Sequence, residues 1–252
     1  MNKRTDAVTY EKRDNIAFVT LNQPEKNNAL THEVIKMLRE IWADYESDPE
    51  MRVAILTGRG KTFCTGMDLE EVEQGLLPDL DSCMPNLGIE ITKPIIGAIN
   101  GWAIGAGMGL ASCCDIRIMS DQAKFSFPEA KIGFAGGGQE FAVDMPYAIA
   151  MEVWLTGEPM DAKRAYEVGF VNKIVPPAEL MKEAMRYANI SKDNAPLTMK
   201  MLKMTALMNM KNAKRSWLKI HSTYIRPQLE SEDLKEGIKA LKEKRKPAFK
   251  GK

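Results

Sequence analysis

Histidine is scarce in this chain of 252 residues: there are two, His32 and His221, far apart. Base chemistry that relies on histidine is therefore poorly supplied, and a carboxylate is the expected proton carrier. Cysteine is also sparse. Cys64, Cys83, Cys113 and Cys114 show neither disulfide nor metal-ligand spacing, which points to a reduced, cytoplasmic setting. No apolar run approaches the roughly 20 residues needed to span a bilayer, so no membrane partner is expected. The first 15 residues are polar and lack the apolar core of a signal peptide. An excess of either charge is missing too: 35 Lys and Arg face 34 Asp and Glu, the formal net charge is +1, and bulk electrostatics names no partner.

Several motifs are incomplete or absent. No Gly-x-Ser-x-Gly elbow occurs, which argues against a serine hydrolase of that design. Gly105-x-Gly107 lacks the third glycine of a dinucleotide fingerprint because position 110 is Leu, and no phosphate loop ends in Gly-Lys-Ser/Thr. His32-Glu33 opens like a zinc-protease helix, but the second histidine is missing. No metal site and no separate cofactor are expected.

What is present is ordinary soluble-protein material, 44% hydrophobic and 27% charged, enough for one large domain or a domain with a smaller extension. Ile16–Leu21 and Arg52–Thr57 read as strands, and Thr31 caps a predicted helix that runs to about Ser47. Its apolar face is Val34, Met37, Leu38, Ile41, Trp42 and Tyr45. Residues 74–93 lack periodicity and read as a mobile loop or lid. Pro94–Ile99 is a buried strand that ends at Asn100-Gly101, followed by Gly105, Gly107 and Gly109 and a small-residue helix. Two short β-type runs, Asp115–Met119 and Ala123–Phe127, come next, and from about 178 the pattern is helical apart from prolines. The methionines Met199, Met201, Met204, Met208 and Met210 fit a packing core or an interface better than a ligand site.

Glycines at a strand-to-helix junction let the backbone approach a ligand and leave N–H groups pointing outward, which suits an oxygen that becomes negative during reaction. Downstream, Phe125, Phe127, Pro128 and Ile132 surround Glu129 in sequence, and such neighbours would desolvate a carboxylate and raise its pKa.

These blocks resemble the crotonase superfamily of enoyl-CoA hydratases and isomerases. The resemblance rests on Asn15–Pro24 with Asn28–Leu30, Val53–Gly58 with Thr62–Leu69, and Lys93 to Ile116. It continues through Phe127–Gly133, Leu155–Val175, Ser231–Gly237 and Lys244–Phe249. It implies an α/β crotonase fold of repeated ββα turns with a C-terminal helical extension, the core at residues 1–190 and the extension, a trimerisation region, at 191–252. It also implies an acyl-CoA thioester substrate, with coenzyme A as part of the substrate, and a homo-oligomer, a trimer or a dimer of trimers. Nucleic acid is not an expected partner.

Carried over residue by residue, the resemblance makes Glu129 the general acid/base and the backbone N–H groups of Met67 and Ala106 the oxyanion hole. Asn28, Ala29, Thr65, Gly66, Asp68 and Leu69 are implied to bind substrate. So are Gly105, Gly107, Gly109 and, from the tail, Lys246 and Phe249. One departure matters: Gly109 stands where hydratases of this superfamily commonly place the first of two glutamates. That weakens a two-carboxylate hydration and suits a single-glutamate isomerase. Glu140 is a candidate second acid, with a surface-loop carboxylate as the plainer reading. Position 137 is Gly where some relatives place an aspartate. Residues 72–92 with Trp102, Phe134 and Phe141 are expected to shape the acyl pocket. The rivals are an acyl-CoA hydrolase or lyase on the same scaffold, and a non-catalytic member whose basic tail (eight Lys/Arg and two Glu from Lys235 to Lys252) contacts RNA or a protein.

Overall fold

The structure, a computed structural model, describes residues 7–76, 79–134, 144–207 and 231–250. A six-stranded sheet forms the centre. Its strands, in chain order, are β1 (Val8–Arg13), β2 (Ile16–Leu21), β3 (Val53–Gly58), β5 (Ile95–Ile99), β7 (Ile116–Ser120) and β10 (Lys173–Val175), and they lie in that spatial order. β1 and β2 form an antiparallel hairpin, and every later pairing in this sheet is parallel. A smaller sheet holds β4 (Thr62–Cys64), β6 (Trp102–Ile104), β8 (Lys124–Ser126) and β9 (Met160–Asp161).

The chain alternates between the sheets. β3 leads to β4 and then α2 (Leu69–Glu73); β5 leads to β6 and then α3 (Ala106–Ser112); β7 leads to β8 and then a 3-10 turn at Pro128–Ile132. These are the repeated ββα turns that the resemblance implied, the third closing in a 3-10 turn.

The large sheet is buried on both faces, so its strands read as apolar runs rather than alternating ones. Ala17, Val19, Leu21, Ala54, Leu56, Ile95 and Ile99 face one core together with Val34, Leu38, Ile41, Trp42 and Tyr45 of α1 (His32–Ser47). Their neighbours Ile16, Val53, Ile55, Ile96, Ala98 and Ile118 face a second core that Leu180, Ala184 and Ala188 of α6 (Leu180–Asp193) close. The Thr31 hydroxyl accepts from the Val34 N–H, the expected cap of α1. α4 (Tyr147–Thr156) and α5 (Ala162–Glu167) follow the 3-10 turn, and α7 (Glu232–Lys242) packs back upon it. Residues 196–207 are helical; Met201 is exposed there and Met199 and Met204 are half-buried, while Met208 and Met210 lie outside the described residues.

Three elements differ from expectation. The described part of 74–93 is packed rather than loose: Cys83 and Ile91 are fully buried, and the Glu46 carboxylate of α1 accepts from both the N–H and the hydroxyl of Thr92. Its apolar residues fill separate slots, so they leave no period in the sequence. β1 was not anticipated, because one side of that edge strand is solvated. α3 begins at Ala106, since Gly105 supplies the turn itself. Among the described residues, no helix is long and apolar enough to cross a membrane.

Candidate active site

Three ββα loops meet where strands give way to helices. At the end of β6, Gly105 takes φ 54° and ψ −121°, a conformation that side-chain-bearing residues avoid, and α3 starts at the next residue. The Gly105 N–H donates to the Ser126 carbonyl at 2.9 Å, which ties this junction to β8. A Cβ at Gly105 would collide with Oε1 of Glu129, so the missing side chain is what lets the carboxyl group lie against the junction. Ala106 opens the helix, and the first N–H groups of a helix have no carbonyl behind them.

The second loop follows β4. Gly66 has φ 81°, and a Cβ there would stand 2.7 Å from the Ile104 carbonyl oxygen and 3.1 Å from the Ala106 nitrogen. The Gly66–Met67 peptide therefore lies beside the Ala106 amide. Met67 forms a parallel bridge with Leu30, whose N–H donates to the Gly66 carbonyl at 2.7 Å. In a parallel bridge of this register the groups flanking Met67 carry the hydrogen bonds, so its own N–H faces the other way.

The third loop carries Glu129 on the 3-10 turn after β8. The residue is 9% exposed, and burial pushes its carboxyl pKa up to about 8. Oε2 has no hydrogen-bond partner in the described protein. A buried carboxyl group with an unpartnered oxygen, set against the Gly105 turn, is costly as structure and useful as chemistry.

These groups border a cavity of 680 Å³. Thr65, Gly66, Met67, Leu69, Gly105, Ala106 and Glu129 form one wall, and Lys246 and Phe249 line it from the tail. Glu129 is its sole lining carboxylate among the described residues. Other expected residues stand behind the wall. Asn28 is 1% exposed; its amide nitrogen donates to the carbonyls of Arg59 and Thr62, and its oxygen accepts from the Gln23 N–H. Ala29 is buried beside it. Asp68 caps α2. A Cβ at Gly107 would strike the Cys64 carbonyl, so this glycine lets α3 rest on β4. Gly109 lies inside α3, its N–H bonded to the Gly105 carbonyl at 3.0 Å.

The acyl-pocket expectation needs correction. Phe134 lines the cavity, but Trp102 does not, because β6 turns that ring toward Lys124, 5.5 Å from its centroid. From 72–92, Leu80 alone of the described residues reaches it. Phe141, Gly137 and Glu140 lie outside the described residues. Sequence reasoning missed the far wall: Gly237, Ala240 and Leu241 of α7, with Arg245 beyond it. Gly237 sits where a Cβ would strike the Ile132 carbonyl, and Leu234 and Ile238 pack with Phe134. The amphipathic period of α7 was the available signal, but the period does not say which surface the apolar face covers.

Comparison with known proteins identifies the family. The family model described as "Enoyl-CoA hydratase/isomerase" matches residues 11–252. The chain is similar to (E)-benzylidenesuccinyl-CoA hydratase of Thauera aromatica, with 40% identity over 97% of this chain and 99% of that one. It is 34% identical to carnitinyl-CoA dehydratase of Escherichia coli K12, over 98% of this chain and 99% of the relative. Among solved structures, a carnitinyl-CoA hydratase from Mycobacterium avium superposes with a TM-score of 0.85 at 32% identity, covering 98% of this chain and 100% of that chain.

Proposed function

Because this chain belongs to the enoyl-CoA hydratase/isomerase family, an enzyme family of acyl-CoA thioesters, we propose that it adds water reversibly to a 2-enoyl-CoA thioester, with Glu129 as its one acid/base group. The observation that carries this reading is the convergence of Glu129 with Gly105, Ala106 and the Gly66–Met67 peptide at one cavity wall. The relatives named hydratase and dehydratase favour water addition and removal over other reactions of the family.

In the forward direction the Glu129 carboxylate takes a proton from water as the water oxygen bonds to carbon 3. The electrons of the double bond move to the thioester oxygen, and the resulting enolate is held by the N–H groups of Met67 and Ala106. Glu129 then gives its proton to carbon 2, and the thioester carbonyl re-forms. Losing one such donor typically costs about 100- to 1000-fold in rate. The apolar surroundings that raise the Glu129 pKa also make the carboxylate a stronger base than a solvated one. Lys246 on the cavity lining suits the phosphates of coenzyme A, while the Arg245 guanidinium is held by Glu236 and Glu243.

The lone lining carboxylate also suits proton transfer from carbon 4 to carbon 2 without water, the isomerisation of a 3-enoyl ester. A panel of 2-enoyl and 3-enoyl CoA esters in deuterated water separates the two. A product heavier by one water supports hydration, whereas deuterium at carbon 2 or 4 without added water supports isomerisation and overturns the hydratase reading. Turnover that survives Glu129→Gln overturns both.

The exposed apolar residues Tyr147 and Leu155 of α4, with Leu197, Met201 and Leu202 of the 196–207 helix, support assembly as a trimer or dimer of trimers. Sedimentation equilibrium tests this. The four cysteines are buried thiols outside any disulfide, which fits a cytoplasmic location.

A further inference from the structure

We propose that Asp68 is a positioning residue that holds the Met67 N–H at the angle needed to meet the thioester oxygen. The inference deepens the hydratase/isomerase reading and rests on it. Asp68 shares a peptide bond with Met67 and is nearly buried, yet its side chain does not line the cavity. Its Oδ1 accepts from the N–H groups of Glu70 at 2.9 Å and Glu71 at 3.1 Å, and its Oδ2 lies 3.7 Å from the half-exposed Lys26 ammonium. α2 has five residues, too few to sustain a helix by its own backbone bonds, so the cap decides whether the turn after Met67 keeps its shape.

The turn is pinned from the other side as well. The Thr65 hydroxyl donates to the Asn27 carbonyl at 3.2 Å, Leu30 bridges Met67, and the Glu71 carboxylate accepts from the His32 N–H at 2.9 Å. Every one of these bonds ties the 65–71 loop to the 26–32 turn. Asp68 is the member that sets the backbone next to the amide itself. A change at Asp68 therefore rotates the 66–67 peptide, and the oxygen meets it off axis. Misplacement on the order of 1 Å at a reacting group costs about 100-fold in rate.

The test compares the native enzyme with Asp68→Ala, Asp68→Asn and Asp68→Ser. Two readouts are taken: kcat and KM with whichever enoyl-CoA the native enzyme turns over, and the near-ultraviolet absorbance of the enolate that acetoacetyl-CoA forms when an oxyanion hole polarises it. Asp68→Ala is expected to lower kcat by about 10- to 100-fold, leave KM within about threefold, and weaken the enolate band. Asp68→Asn retains an oxygen that accepts both N–H bonds, so it restores kcat and the band to within about threefold of native. Asp68→Ser, also an N-cap residue, supplies a comparison that folds if the alanine variant does not, and is expected to track Asp68→Asn. Three results overturn the proposal: KM rising at unchanged kcat, which makes Asp68 a substrate contact; Asp68→Asn and Asp68→Ser as defective as alanine, which makes the charge and not the cap essential; or Asp68→Ala matching native. A native enzyme that neither turns over any ester nor forms the enolate band overturns the underlying reading itself.

Discussion

Around Ala106 every residue of α3 is buried, and the helix rests on β4 through Gly107 and against Glu129 through Gly105. Around Met67 the chain is held instead by polar bonds from a thin loop: one hydroxyl, one bridge, one capping carboxylate and a carboxylate–histidine pair. The first amide is fixed by core packing, which shifts only at high cost, and the second by hydrogen bonds worth about 1 kcal/mol each. The difference teaches that the proposed oxyanion hole pairs a donor held by packing with one held by polar bonds.

The contrast breaks most severely at Glu129, the proposed acid/base group. Glu129→Gln should cut turnover by about 100- to 10,000-fold in steady-state kinetics. It should also change stability with a defined sign. The folded protein raises this carboxyl from its usual 4.5 to about 8, so the neutral form is favoured on folding. The native protein therefore loses stability relative to the Gln variant as pH rises from about 4.5 to about 8, by up to about 1.4 kcal/mol per unit, and the difference levels off above that. Thermal melts across pH measure this. In the same window the native kcat/KM should rise with pH and level off near 8, because the reaction starts from the carboxylate.

Gly105→Ala attacks the rigid side. The new Cβ meets Glu129 Oε1 and the residue sits at φ 54°, so activity should fall by about 100-fold and stability by about 1–3 kcal/mol, read by kinetics and denaturant melts. The tethered side should respond more gently. His32→Ala, which leaves the backbone N–H bond to Glu71 in place, should cost less than about 1 kcal/mol and lower kcat a few-fold. The smallest expected effect is in native-state hydrogen exchange: amides of Leu69–Glu73 should open more readily than those of Met108–Ser112. Equal protection of α2 and α3 would remove the contrast.

Legibility in the sequence followed the same division. The buried sheet is legible in Val53–Leu56 and Ile95–Ile99, because strands covered on both faces are apolar throughout, and the glycines around Ala106 mark a close approach in the sequence itself. Asn28 and Asp68 were legible as important but not as what they are. The Asn28 side chain bonds to carbonyls more than 30 residues away, which no local pattern records, whereas the Asp68 cap on Glu70 and Glu71 is a local pattern whose bearing on the Met67 amide shows only in the fold. The α7 wall of the cavity was hidden for a related reason: its apolar stripe is visible, while the surface it covers is set by a glycine, Gly237, fitting against Ile132 about 100 residues earlier.

The most direct measurement is the carbonyl stretching frequency of an enoyl-CoA labelled with carbon-13 at the thioester carbonyl and bound to the Glu129→Gln variant, which holds the ester without turning it over. Two backbone donors at Met67 and Ala106 should draw the band to lower frequency than in water, and Gly105→Ala in that background should return it toward the free value. An unshifted band in the Glu129→Gln complex would mean that the thioester oxygen does not lie between those amides.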